Sequence, residues 1–326
     1  MARKPEPQAF SAAPERAAWR DLWVGAADGL KLHARDYGSR LWPRLPVICL
    51  PGLTRNSRDF HDLALRLAAH PDRPRRVLAL DYRGRGLSDH DPDWRHYDLM
   101  VEARDCLDVA TAAGIHEAVV IGTSRGGLLA MIFAALRPAL LRGVVLNDVG
   151  PEVDPSGLTR IRAAIGQIPA TLASWDEAVA LVRASLAPSF PKFSDADWRQ
   201  IASGAFREEN GKLRPDFDLN LIKPLEALDL EAGTPTLWPQ FEGLRGLPTL
   251  AIRGARSDVL SAEALERMAA RHPRLKTVVL PDTGHAPRLS EPEAVAAIEA
   301  LIEAAERDSA PTGMPEPSDA APAPST

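Results

Sequence analysis

The chain has 326 residues, of which 45% are hydrophobic and 25% charged, enough for one large α/β unit with an insertion. Its net charge of −5 and the lack of a basic block argue against nucleic acid or a membrane surface as the main partner. Two cysteines, Cys49 and Cys106, make neither a disulfide framework nor a metal-ligand spacing.

Residues 1–16 carry Pro5, Pro7 and Pro14 with little to bury, and read as a flexible arm without a secretory signal. Trp19–Val24 and Leu30–Tyr37 follow as two strands joined at Asp28-Gly29, a hairpin turn signal. Pro46–Leu50 is a short buried strand that runs into Pro51-Gly52-Leu53-Thr54, and a helix with Phe60, Leu63, Leu67 and Ala68 on one face comes next. Arg76–Leu80 is another strand, ending in Asp81-Tyr82-Arg83-Gly84-Arg85-Gly86-Leu87-Ser88-Asp89. A helix over Leu99–Ala113 leads to the apolar strand Val119–Ile121, and Gly143–Leu146 makes the strand after that. Strands alternating with helices predict a doubly wound, mainly parallel sheet.

The alternation breaks at Pro151. Residues 151–241 are expected to form a helical cap without strands of sheet type, inserted into a core made of residues 17–150 and 242–306. The sheet resumes at Thr249–Ile252 and continues at Lys276–Leu280, with a last helix over Pro292–Glu306. Residues 307–326, rich in Pro, Ala and Ser, read as a disordered tail. The longest apolar helical run, Leu128–Leu136, is too short to span a bilayer, and a cytoplasmic location is expected.

Chemistry points to Gly122-Thr123-Ser124-Arg125-Gly126. A serine on a strand-to-helix turn between glycines has its hydroxyl lifted clear of the backbone, and the Arg125 N–H points from the helix start towards a developing oxyanion. Such a nucleophile needs a base and an acid to orient it. Of eight histidines, His285 stands out, because Pro281-Asp282-Thr283-Gly284-His285 follows the final strand. Two acids follow strand ends, Asp258 and Asp148, and both satisfy the chain order Ser, acid, His. Asp258 is preferred, and Asp148 stays open as the alternative. The second oxyanion donor is expected to be the Leu53 N–H, where Gly52 permits close backbone approach.

Pro51-Gly52-Leu53, Asp81–Ser88, Gly122–Gly127, Arg253–Asp258 and Thr283-Gly284-His285, in this order, resemble the α/β-hydrolase superfamily over residues 19–306. The resemblance implies an eight-stranded, mostly parallel sheet with a helical cap and a Ser124, Asp258, His285 triad, and it is nearest to bacterial esterases, enol-lactonases and meta-cleavage-product hydrolases. Relatives often carry His-Gly where Leu50-Pro51-Gly52 stands here, and an uncharged residue where Arg125 stands. A serine nucleophile, in contrast to aspartate, separates the chain from haloalkane dehalogenases and epoxide hydrolases.

The expected activity is cofactor-free and metal-free hydrolysis of a small carboxylic ester or lactone. The alternatives are C–C bond cleavage in a vinylogous diketo acid by the same triad, or slow turnover in a ligand-binding protein on this scaffold. Arg55 and Arg125 are candidates for gripping a substrate carboxylate, and Trp238 is the best of three tryptophans, with Trp175 and Trp198, for a pocket wall.

Overall fold

The computed structural model describes residues 18–230 and 233–309. The expected arm, and all of the expected tail except residues 307–309, lie outside that range. Those three residues extend the last helix, which runs Pro292–Ser309.

Ten strands and ten α-helices form in chain order among the described residues. The strands β1 (Trp19–Gly25) and β2 (Lys31–Tyr37) are an antiparallel hairpin turned at Gly29, whose φ of 91° suits a residue without Cβ. Then come β3 (Val47–Leu50), α1 (His61–Ala68), β4 (Val77–Asp81), α2 (Leu99–Ala112), β5 (Ala118–Thr123), α3 (Arg125–Leu136) and β6 (Leu141–Asn147). After an insertion, β9 (Thr249–Gly254), α9 (Ala262–Arg271), β10 (Leu275–Leu280) and α10 (Pro292–Ser309) complete the sheet. Its order is β1-β2-β4-β3-β5-β6-β9-β10, eight strands, with every pairing from β4 to β10 parallel.

The inner strands are continuous apolar runs because helices cover both faces. Alternate residues of one strand go to opposite sides. Val120, Val144 and Ala251 pack with α2, α3 and α9 through Val109, Leu129 and Met268. Val119, Ile121, Val145 and Ile252 pack with α1 and α10 through Leu63, Leu67, Ile298 and Ile302. Each such aliphatic side chain contributes about 1.5–3 kcal/mol when buried. Parallel pairing also gathers the loops after β3, β5, β6, β9 and β10 at one edge.

Between β6 and β9 lie α4 (Pro155–Gly166), α5 (Trp175–Leu186), α6 (Asp195–Ala205), β7 (Phe206–Glu209), β8 (Lys212–Pro215), α7 (Ile222–Glu226) and α8 (Trp238–Glu242). The insertion is therefore not purely helical: β7 and β8 form an antiparallel hairpin. Its turn, Asn210-Gly211, has φ of 52° and 74°, the positive values that an Asn-Gly hairpin supplies. Near the end of the insertion the chain joins the core, where Phe241 and Leu244 are fully buried in the cluster that holds α3. No helix among the described residues is long and apolar enough to cross a membrane.

Candidate active site

Ser124 sits between β5 and α3 with φ 51° and ψ −116°, a strained conformation for a residue with a side chain. Crowding enforces it. A Cβ on Gly126 would lie 2.0 Å from the Leu50 carbonyl oxygen, and one on Gly122 would lie 2.3 Å from Gly126. Only glycine lets the strand, the turn and the helix start pass this closely.

His285 follows β10 and reaches the same edge. Its Nε2 is 2.8 Å from Ser124 Oγ, and its Nδ1 is 2.8 Å from Asp148 Oδ2. A carboxylate only accepts, so the proton sits on Nδ1 and Nε2 is left to accept from the serine hydroxyl. Asp148 follows β6 in a left-handed conformation, φ 57°. Its backbone N–H donates to the Ile252 carbonyl at 2.7 Å. Its carboxylate accepts from the Gly254 N–H at 2.8 Å and the Ser257 hydroxyl at 2.6 Å. The group is fully buried and hydrogen-bonded at both oxygens, so its orientation is determined.

Asp258, the acid preferred from sequence, is not the partner of His285. It forms a bidentate ion pair with Arg160 of α4, with Arg160 Nη2 2.7 Å from Oδ1. Burial pushes its carboxyl pKa up, but the Arg160 guanidinium, with a smaller contribution from His285, holds it below the ordinary value. The loop after β9 presses against the insertion here, and a Cβ on Gly157 would lie 2.4 Å from the Asp258 carbonyl oxygen. Asp258 faces Arg160 of α4, and the neighbouring Ser257 supports Asp148. Ser257 went unrecognised from sequence, because no spacing rule marks it.

The loop after β3 arches over the serine: a Cβ on Gly52 would lie 3.9 Å from Ser124 Cβ. It is pinned by the Tyr82 hydroxyl donating to the Pro51 carbonyl at 3.0 Å and by Arg85 Nε donating to the Leu53 carbonyl at 2.8 Å. Leu53 lines the cavity beside Ser124.

The cavity holds about 780 Å³ and extends from Ser124 and His285 between the core and the insertion. The insertion supplies an apolar wall that includes Ile161, Ile165, Leu181, Phe190 and Phe217. Polar and charged side chains line the rest of it, among them Arg55, Arg58, Arg160, Gln167, Gln200 and Arg288. Arg55 does line the cavity, but Asp59 grips it at 2.6 and 2.7 Å and the Ile201 carbonyl accepts from it at 3.3 Å. Burial works against its charge, and Asp59 more than offsets that, raising its pKa.

The Arg125 side chain is turned away from the cavity: its Nε donates to buried Glu102 and its Nη2 to the Tyr97 carbonyl at 3.0 Å. Trp238 is no pocket wall either. Its indole N–H donates to Glu152 at 2.5 Å, and its ring lies against Phe241 and under Arg271. Trp198 is buried within the insertion against Phe193, and Trp175 is exposed.

Away from the site, Asp28, Asp91 and His96 converge at metal-ligand distances. The Arg83 guanidinium already fills that cluster, donating to Asp28 at 2.8 Å and Asp91 at 2.6 Å.

Residues 47–298 match the model of the alpha/beta hydrolase family. A 3-hydroxybutyrate-oligomer hydrolase from Cupriavidus necator is 32% identical over 273 residues, 82% of this chain and 90% of that protein. A 2-(acetamidomethylene)succinate hydrolase from Mesorhizobium japonicum is 30% identical, covering 78% of this chain and 85% of its own. The crystal structure of an alpha/beta hydrolase from Novosphingobium aromaticivorans superposes with a TM-score of 0.81 at 41% identity, over 88% of this chain and 98% of that one. With the sheet order, the serine turn and these likenesses together, the chain belongs to the alpha/beta hydrolase family and is a hydrolase.

Proposed function

We propose that the enzyme cleaves small carboxylic esters or lactones through an acyl-enzyme on Ser124, with His285 as base and Asp148 as the acid that orients it. The single observation carrying this reading is the unbroken line from Ser124 Oγ to His285 Nε2, and from His285 Nδ1 to Asp148 Oδ2, with 2.8 Å at both steps. Ser124 Oγ attacks the carbonyl carbon while His285 Nε2 takes its proton, and the backbone N–H groups of Leu53 and Arg125 hold the oxyanion. On collapse the same proton goes to the departing alkoxide. Water then enters, gives a proton to His285 and releases the acid, which restores the serine. Asp148 keeps the imidazole in the required tautomer throughout.

The apolar wall that the insertion gives the cavity suits a short acyl chain. The named substrate class of the Cupriavidus relative makes short linear oligoesters of 3-hydroxy acids the first natural substrates to try. The insertion, placed over the cavity, serves in this reading as a cap that sets substrate length.

The test is turnover of p-nitrophenyl esters of graded chain length, lactones, 3-hydroxybutyrate dimers and trimers, and a vinylogous diketo acid, by wild type and Ser124→Ala. Wild type should hydrolyse at least one ester class and take one fluorophosphonate at Ser124. Ser124→Ala should lose labelling and at least a factor of about a thousand in turnover. Cleavage of the diketo acid alone would move the enzyme to C–C bond hydrolysis, and ester turnover retained in Ser124→Ala would remove the serine from the chemistry.

A further inference from the structure

The two proposed oxyanion donors stand on different elements: Leu53 on the loop after β3, and Arg125 at the start of α3. An oxyanion hole works only if its donors are held at about 2.7–3.1 Å from one point, so something must fix these elements relative to each other. Glu102 of α2, fully buried, stands between them. Its Oε1 accepts from Arg85 Nη1 at 2.6 Å, and its Oε2 accepts from Arg125 Nε at 2.5 Å. Arg85 in turn donates from Nε to the Leu53 carbonyl at 2.8 Å and from Nη1 to the Arg83 carbonyl at 2.7 Å. The chain of contacts therefore runs from Leu53 to Arg85, Glu102 and Arg125, from one donor residue to the other.

We infer that Glu102 is a positioning residue of the oxyanion hole, tying its two donors through Arg85 and Arg125 and keeping a net positive charge beneath it. This rests on the acyl-enzyme reading above. The energetics make the cluster hard to explain as a stabilising device. Buried ion pairs and triads are often replaced by apolar side chains without loss of stability, because desolvation offsets the Coulombic attraction. Here one carboxylate serves two guanidiniums, and Arg85 Nη2 is buried without an acceptor among the described residues. The unbalanced positive charge suits a group that must meet an anion in a water-poor site. It also gives a role to the charged residue directly after the nucleophile.

The experiment compares Glu102→Gln with the triple variant Arg85→Met/Glu102→Leu/Arg125→Met, which keeps both backbone N–H groups and removes every buried charge of the cluster. Active sites are counted by fluorophosphonate. For each protein one measures kcat per titrated site, KM, Tm, and the affinity for an arylboronic acid that forms a tetrahedral adduct on the serine. Glu102→Gln should lower kcat about 10–100-fold, with boronate affinity falling in step and KM close to wild type. The triple variant should regain or exceed the Tm of Glu102→Gln yet keep the depressed kcat and weak boronate binding.

Wild-type kcat and boronate affinity in either variant would overturn the inference; so would a kcat loss that disappears on correction for the titrated fraction. If the triple variant does not fold, Glu102→Gln decides alone. Failure of wild type to label at Ser124 would bring down the acyl-enzyme reading and this inference together. Normal wild-type labelling with unchanged Glu102→Gln kinetics removes only the role of Glu102.

Discussion

Ser124 and Asp148 occupy matching places, each just past the end of one of two neighbouring parallel strands, and each holds a side chain at positive φ, 51° and 57°. What holds them there differs. At Ser124 there is no room: glycine is required on both sides because a Cβ would collide with backbone, at 2.3 Å from Gly122 and 2.0 Å from Gly126. At Asp148 hydrogen bonds do the work, from the Gly254 N–H and the Ser257 hydroxyl to the carboxylate, and from its own N–H to the Ile252 carbonyl. An aspartate tolerates the left-handed region better than most residues, so no glycine need replace it. A turn forced by crowding leaves a pattern of glycines in the sequence; a turn held by hydrogen bonds from a distant loop leaves almost none.

The largest expected effect separates the two acids. Asp148→Asn should lower kcat about 10³–10⁴-fold with little change in KM, since the imidazole loses its preferred tautomer. Asp258→Asn should leave kcat close to wild type, and the opposite ranking would break the comparison at its root. Next come the glycines. Gly126→Ala drives a Cβ into the backbone of β3 and should cost about 3 kcal/mol or more, read as a lower denaturation midpoint or loss of soluble protein. Gly150→Ala, beside Asp148, meets side chains and not backbone, the flexible Met268 at 2.7 Å from Sδ and Leu260 at 3.0 Å from Cδ1. Its cost should be about 1 kcal/mol or less, and equal costs would mean that both turns are sterically forced. Smaller still, Ser257→Ala removes one hydrogen bond to Asp148. At about 1 kcal/mol that is roughly a fivefold drop in kcat, measured with KM to confirm that substrate binding is untouched.

This contrast also explains what could be read without coordinates. The strands were legible because runs such as Val119–Ile121 are apolar throughout, as burial on both faces demands. Ser124 and His285 were legible because glycine-bearing turns follow such strands. The carboxylate that pairs with His285 was not, since Asp148 and Asp258 both follow strand ends and both precede the histidine. In the structure Asp258 is paired with Arg160 of the insertion, and Asp148 is paired with His285. The partner of Arg125 was illegible for a similar reason: Glu102 lies on a different helix, and no periodicity links the two. Trp238 looks like a cavity wall from its place near the return to the sheet, but its indole N–H pairs with Glu152 and its ring lies against Phe241 and Arg271, away from the cavity. The β7–β8 hairpin had a signal, Asn210-Gly211, which the helical character of its surroundings masked.

The smallest effect tests what Arg160 does for the contrast. In the structure it holds Asp258 in an ion pair with both side chains about a third exposed, so the pair is partly solvated and worth about 1 kcal/mol or less. The folded-state pKa of Asp258 is depressed by that pairing. A carboxylate with a depressed folded pKa contributes its stability above its unfolded value, near 4, and loses it as the pH falls through the folded value. Arg160→Met keeps the apolar stem against the cavity wall but removes the charge. It should therefore lower Tm slightly at neutral pH, and the gap to wild type should close on acidification below about 4. Asp258→Asn should show the same closing gap, because it removes the same pair from the other side. A gap that persists in acid would mean that Arg160 acts through packing alone. Catalysis gives the second readout: with His285 held by Asp148, Arg160→Met should retain kcat near wild type on a neutral ester. A loss as deep as that of Asp148→Asn would place the Arg160–Asp258 pair inside the catalytic machinery and erase the distinction between the two acids.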